Sequence, residues 1–342
     1  MQSSRLVDVE SIFGHRQRFL MKILVTGGAG FIGRHLVEEL VRRGECVAVL
    51  DIATLSSSLP AGIEYHQGTV LDETLVAQLI GESDRVVHLA GIAEPALYGS
   101  DPLGTMNVNL FGAINVVRQC TDLGVPIVFS STSEVYGINP DVPWREDADR
   151  VLGPTANVRW CYSTSKAAVE HYLDASRRQL GLEYTTIRLF NTYGSGLAGR
   201  VIDTFIRQAL LGEPLVVHGA GEQTRCFCHI EDVTQALARL VLADALIQKT
   251  YNVGNETETT ITDLAVLIVE LAGSDSSVLY KPYSTLYDGF QDVPRRKPNT
   301  SALQEDLGWA PRIDLREGLS RLIEVTARNM QADRGYLQER LC

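Results

Sequence analysis

The chain has 342 residues, 45% of them hydrophobic, and a formal net charge of -11, which allows one large domain or two closely joined ones around a sizeable core. The acidic balance, with no basic run, argues against nucleic acid or an anionic membrane as a partner. No apolar stretch reaches the roughly 20 residues needed to cross a bilayer.

Residues 1–20, MQSSRLVDVESIFGHRQRFL, lack the apolar run of a secretory signal and read as an extension ahead of the first strand. From Met21, MKILVTGGAGFIGRHLVEELVRRGECVAVLD gives a short apolar run, a glycine-rich turn, an amphipathic helix and a second apolar run ending at Asp51, which is a βαβ unit. Further strand cores follow at RVVHLAG, PIVFSST, EYTTIRLF and KTYNVGN, separated by helical patterns such as LGTMNVNLFGAINVVRQCTDLG. Alternation of this kind predicts an α/β fold, a doubly wound parallel Rossmann sheet covered on both faces. Past Asn191 the segments NTYGSGLAGR, LLGEPLVVHGAGEQTRCFCHI and STLYDGFQDVPRRKPNT are rich in turns, arginines and aromatics. They predict a smaller C-terminal substrate-binding lobe at the carboxyl end of the sheet, where such folds bind ligands. The expected division is residues 21–190 for the dinucleotide-binding domain, with returns near 228–254, and residues 191–227 and 255–330 for the lobe. The six cysteines, Cys46, Cys120, Cys161, Cys226, Cys228 and Cys342, form no framework, so a reduced cytoplasmic protein is expected. Cys226 and Cys228 read as strand residues rather than half of a metal site, and no metal is expected.

Gly27, Gly30 and Gly33 stand between a strand and a helix, where they permit a tight turn, close backbone approach to a pyrophosphate and close helix packing. Asp51 ends the next strand, where a carboxylate can bind both ribose hydroxyls and would repel a 2′-phosphate, so the pattern favours NAD over NADP. In RWCYSTSK, Tyr162 and Lys166 lie one helical turn apart on one face. A tyrosine serving as base near neutrality needs its pKa lowered by about 3 units, roughly 4 kcal/mol, and a nearby ammonium has the right sign. Upstream, VFSSTSEVYG ends a strand in hydroxyls followed by Glu134. Thr132 can hydrogen-bond a substrate hydroxyl beside Tyr162, and Glu134 adds a second group able to move a proton.

Together TGGAGFIG, HLAG, SSTSEVYG and YSTSK resemble the extended short-chain dehydrogenase/reductases that act on nucleotide sugars, from about Met21 to the last helix. The resemblance implies a Thr132, Tyr162 and Lys166 triad in which Tyr162 removes a hydroxyl proton as the C4 hydride passes to NAD. It also implies cofactor contacts from Phe31, Ile32, Ala90 and Lys166. Within the family the chain is most similar to the UDP-glucuronate decarboxylases, through three stretches. STSEVYG places Ser133 and Glu134 after the triad threonine; AGIAEPALYGSDPL carries Pro95 and Tyr98 of the loop that meets the sugar acid; GFQDVPRRKPN carries Arg296, matching the arginine at the decarboxylating carbon. The lesser alternatives are that Tyr98 is a packing aromatic and Arg296 a surface or diphosphate-binding arginine. Asn191, Arg200 and Arg225 match positions that hold the nucleotide diphosphate.

Such an enzyme would turn UDP-glucuronate into UDP-xylose or a UDP-4-keto-pentose. Two positions depart from the pattern: Phe290 replaces a tyrosine of the aminoarabinose-pathway enzyme, and Thr69 replaces an aspartate facing the adenine. A nucleotide-sugar 4-epimerase uses the same triad and is the main alternative, followed by a 4,6-dehydratase and a catalytically silent NAD-binding member of the fold. The resemblance further implies a homodimer formed through the helix carrying Tyr162 and the helix after Pro102, both of which have wide apolar stripes.

Overall fold

A computed structural model describes residues 20–55, 59–243, 249–283 and 292–341. The first βαβ unit forms as its pattern dictates: β1 (Lys22–Thr26), α1 (Phe31–Arg42) and β2 (Cys46–Asp51). Then come β3 (Glu64–Gln67), α2 (Glu73–Gly81), β4 (Arg85–His88), α3 (Pro95–Ser100), α4 (Pro102–Met106), α5 (Ala113–Leu123), β5 (Ile127–Thr132), α6 (Trp160–Leu180) and β6 (Tyr184–Leu189). These six strands and a last one, Thr250–Val253, make a parallel seven-stranded sheet. From one edge its order is the last strand, β6, β5, β4, β1, β2, β3. The strands are apolar on both faces because helices cover both. Leu36, Val37 and Leu40 of α1 pack with Val233, Leu237 and Leu240 of the helix Ile230–Val241 on one side; α2, α5 and α6 supply Val76, Val116, Val169 and Leu173 on the other.

The strand order reverses between β1 and β4, and the crevice at their carboxyl ends is where such a sheet takes a ligand. Short strand pairs after Asn191 cap that crevice. Leu215–His218 pairs with Val278–Lys281, and Thr224–Arg225 lies between Thr259–Thr260 and Arg295–Arg296. This lobe has its own core of Phe205, Ile206, Leu264, Ile268 and Leu319. Leu303 and Trp309, within the range expected for the lobe, instead pack into the core beneath α1.

One expected helix is not continuous. Between α4 and α5, Asn107–Gly112 winds as a π-helix, which sequence periodicity cannot register because one extra residue leaves the apolar stripe on either side intact.

Candidate active site

β1 and β2 run side by side, so the glycine turn and Asp51 emerge together at the carboxyl edge. Gly27 has φ +72°, and a Cβ there would lie 2.6 Å from the Ala90 amide nitrogen; a Cβ on Gly33 would lie 2.1 Å from the Gly27 carbonyl oxygen. The turn is thus a cradle that side chains would fill. Gly30, Phe31 and Ile32 line its mouth. The Ala29 and Ala53 amides donate to the two Asp51 carboxylate oxygens at 2.9 and 3.0 Å. The Ala90 amide lies 3.4 Å from Thr26 Oγ1. A helix amino terminus over a backbone cradle, ending at a carboxylate, fits a dinucleotide such as NAD. Thr69 follows β3, and its hydroxyl accepts from the Leu71 amide, so no carboxylate stands there. Phe290 lies outside the described residues.

β5 and α6 build the centre of the cleft, whose volume is about 650 Å³. β5 ends at Thr132, whose hydroxyl accepts from the Glu134 amide at 3.2 Å at the start of a 3-10 turn. Ser133 is buried beside it. On α6, Lys166 is buried, donates to the Ser130 carbonyl at 2.9 Å and lies 5.0 Å above the Phe129 ring. Burial lowers its pKa to about 8, opposed by the charge of Glu170. Tyr162 is also buried, and burial pushes its hydroxyl up to about 12, against the downward pull of the Thr132 hydrogen bond. In the protein alone, desolvation outweighs the favourable interactions at this hydroxyl. Tyr98, which also lines the cleft, stacks its ring on Tyr162 with centroids 4.9 Å apart and 10° between planes.

Glu134 is clasped from two directions. Arg159, immediately before α6, donates to both carboxylate oxygens at 3.1 and 2.9 Å, and Arg296, from the lobe, pairs with the same carboxylate. Burial would raise the Glu134 pKa, but the Arg296 and Arg159 charges prevail and hold it down at about 2. Burial in turn lowers Arg296 to about 10, Glu134 opposing. The two arginines favour the ionised carboxylate of Glu134. Arg296 proves buried, not a surface arginine.

Of the residues expected at the diphosphate, Asn191, Arg200 and Arg225 all line the cleft. Arg225 is held by Asp292 at 2.6 Å, which also accepts from the Tyr283 hydroxyl at 2.9 Å. Arg200 donates to the Ala93 carbonyl and lies 3.7 Å from Glu94. Two residues escaped the sequence reading. Arg159 carries a signal, since it stands three positions before Tyr162 on one helical face. Asn109 does not, because the π-helix sets its direction; its amide group accepts from the Ile92 amide and donates to the Ile92 carbonyl, both at 2.8 Å.

Comparison with known proteins agrees with this geometry. Residues 23–254 match the model of the NAD dependent epimerase/dehydratase family. The chain is 34% identical to the UDP-N-acetyl-alpha-D-glucosaminuronate decarboxylase of Bacillus cytotoxicus over 89% of its length and 97% of the relative's. It is 37% identical to UDP-glucuronic acid decarboxylase 6 of Arabidopsis thaliana over 87% of each. Among solved structures it superimposes on the UDP-glucose 4-epimerase of Thermotoga maritima with a TM-score of 0.81 at 30% identity, covering 91% of this chain and 100% of that one. MoeE5 in complex with UDP-glucuronic acid and NAD gives a TM-score of 0.80 at 28% identity, covering 90% and 99%. The chain belongs to the NAD dependent epimerase/dehydratase family.

Proposed function

We propose that the protein decarboxylates UDP-glucuronate through a C4-keto intermediate, giving UDP-xylose or a UDP-4-keto-pentose. The observation that carries this reading is the buried Glu134–Arg296 pair in the same cleft as Thr132, Tyr162 and Lys166; the decarboxylases among the relatives support it. Bound NAD, held by Gly27, Gly30, Gly33 and Asp51, would supply a hydride acceptor for C4. Tyr162 takes the C4 hydroxyl proton, Thr132 holds that hydroxyl, and Lys166 provides the positive charge that a phenolate needs. The C4 ketone stands beta to the C6 carboxylate, so the C5–C6 bond breaks with its electrons entering an enolate and carbon dioxide leaving. Arg296 holds the carboxylate, Ser133 steadies the developing oxyanion, and the enolate then takes a proton at C5. Glu134 accepts hydrogen bonds from its arginines and from any water that carries the proton. Arg200, Arg225 and Asn191 face the nucleotide diphosphate.

In this reading residues 21–190, with the return near 228–254, hold the cofactor, and residues 191–227 and 255–330 hold most of the nucleotide sugar. The dimer forms through α6 and the helices after Pro102; exposed Leu103 and Phe111 on that side, 69% and 58% accessible, support it. Among the described residues no helix is long and apolar enough to cross a membrane, and a cytoplasmic location goes with the proposal. Mass spectrometry of products from UDP-glucuronate, UDP-N-acetylglucosaminuronate, UDP-glucose and GDP-mannose tests it. The expected product is UDP-glucuronate lighter by one carbon dioxide if it is UDP-xylose, or by one carbon dioxide and two hydrogens if it is the UDP-4-keto-pentose. Return of UDP-glucuronate as its C4 epimer, carbon intact, would replace the decarboxylase with a 4-epimerase, and loss of water from a neutral hexose would indicate a 4,6-dehydratase.

A further inference from the structure

Glu134 and Arg296 stand 162 positions apart in the chain, yet one buried side chain bonds to the surroundings of both. Asn252, in the last strand of the sheet, is fully buried. Its Oδ1 accepts from the Tyr136 hydroxyl at 2.7 Å, and its Nδ2 donates to the Trp144 and Asn299 carbonyls at 2.9 and 3.1 Å. Tyr136 ends the 3-10 turn Ser133–Tyr136, just after Glu134. Asn299 lies just after Arg296. Trp144 joins the two sides: its ring stacks on Tyr136 with centroids 4.9 Å apart, while its amide donates to the Lys297 carbonyl and its carbonyl accepts from the Asn299 amide, both at 2.8 Å. On its other side Arg296 is held in register with Arg225. The Asn252 amide group therefore lies where the turn of Glu134 and the segment of Arg296 come together.

The chemistry of this side chain is specified, not merely its size. Arg188 Nη1 donates to the Tyr136 oxygen at 2.7 Å, and a guanidinium has no acceptor, so the hydroxyl proton goes to Asn252 Oδ1. The Trp144 and Asn299 carbonyls can only accept, so Nδ2 faces them. A carboxamide offers the acceptor and the two donors at once. An apolar side chain would leave a buried hydroxyl and the carbonyls without this partner. We propose that Asn252 is a positioning residue for the sugar acid: by bonding the turn after Thr132 to the segment after Arg296, it sets the spacing of Glu134 and Arg296 at which the arginine meets the substrate carboxylate. Asn252 does not itself line the cleft, so it acts through those two residues. This rests on the reading of the substrate as a sugar acid.

Calorimetric binding of UDP-glucuronate, UDP-glucose and UDP in excess NADH, which cannot take a hydride from C4, tests the proposal in wild type, Asn252→Leu, Tyr136→Phe and Arg296→Ala. Wild type is expected to bind the acid more tightly than UDP-glucose. Asn252→Leu should lose about tenfold of affinity for the acid, as for a misplaced charge-assisted contact, with UDP-glucose and UDP changed by less than about twofold. Tyr136→Phe keeps the ring and removes a single hydrogen bond to Asn252, so it should lose about threefold in the same direction. That milder variant decides the matter if Asn252→Leu does not fold. Combined with Arg296→Ala, either substitution should cost the acid no further affinity, because the group it positions is gone. If wild type shows no preference for the acid, the sugar-acid reading fails, and this inference with it. If wild type prefers the acid and the variants keep the full preference, or weaken all three ligands alike, Asn252 does not position the pair and the proposal is overturned. Losses that simply add to that of Arg296→Ala overturn it as well.

Discussion

The two sides of the cleft, the glycine turn proposed for the cofactor and the ion cluster proposed for the sugar acid, are assembled by different means. Beside the cofactor, the working atoms are backbone: a turn too tight for a Cβ at Gly27 and Gly33, and amides that already meet the Asp51 carboxylate, 22 positions from Ala29. Beside the sugar, the working atoms are ionic side chains from distant parts of the chain; Glu134 and Arg296 are 162 positions apart. The first depends on local conformation and tolerates no bulk. The second depends on segments far apart in the chain coming together and on each ion keeping its partner. Chemistry written in a turn is therefore robust to changes elsewhere, whereas chemistry written in a buried ion cluster fails if any one member is altered.

Tyr162 lies where the two sides meet, and replacing it is the most drastic test. Tyr162→Phe should lower turnover by about 10³-fold, with NAD and UDP binding retained. Loss of either affinity would show that Tyr162 belongs to the architecture of one side. Glu134→Gln should break the sugar side alone. Removing the anion between two buried arginines should cost about 3 kcal/mol of stability, visible as a lowered thermal midpoint, with NAD affinity unchanged. A variant as stable as wild type would mean that charge balance does not hold the cluster together. Asp51→Ala should have the smallest effect and sharpen the cofactor side: NAD affinity should fall by about tenfold, as for a lost charged hydrogen bond. The gap to NADP should narrow. Equal binding of NAD and NADP by wild type would instead remove Asp51 from cofactor selection.

The same contrast explains what could be read in advance. The sheet, its switch point and the glycine turn are legible because strands buried on both faces and glycines at fixed spacing follow from local rules. Thr132, Tyr162 and Lys166 are legible through the endings of β5 and the start of α6. The elevated pKa of Tyr162 was not, since it arises from burial contributed by many segments, including Tyr98 stacked on its ring. Nor could the sequence show that Glu134 is shared by Arg159 and Arg296, or that Asp292 holds Arg225. The pairings of Arg296 and Arg225 depend on how the chain after Asn191 returns over the cleft.

The π-helical turn at Asn107–Gly112 has its own consequence, one of phase. Each residue of an α-helix turns the next by about 100°, so an extra residue taken up in one wide turn advances the count without rotating later residues. Downstream, Ala113, Val116, Val117 and Cys120 still point into the core. Within the wide turn, Asn109 points at the segment after β4, pinning both backbone groups of Ile92. In a regular helix of the same length, the residues after the turn would be rotated by about 100°, and either the core stripe or Asn109 would have to turn away. The irregular turn lets one helix keep two schedules, one set by the hydrophobic core and one by the rim of the cleft.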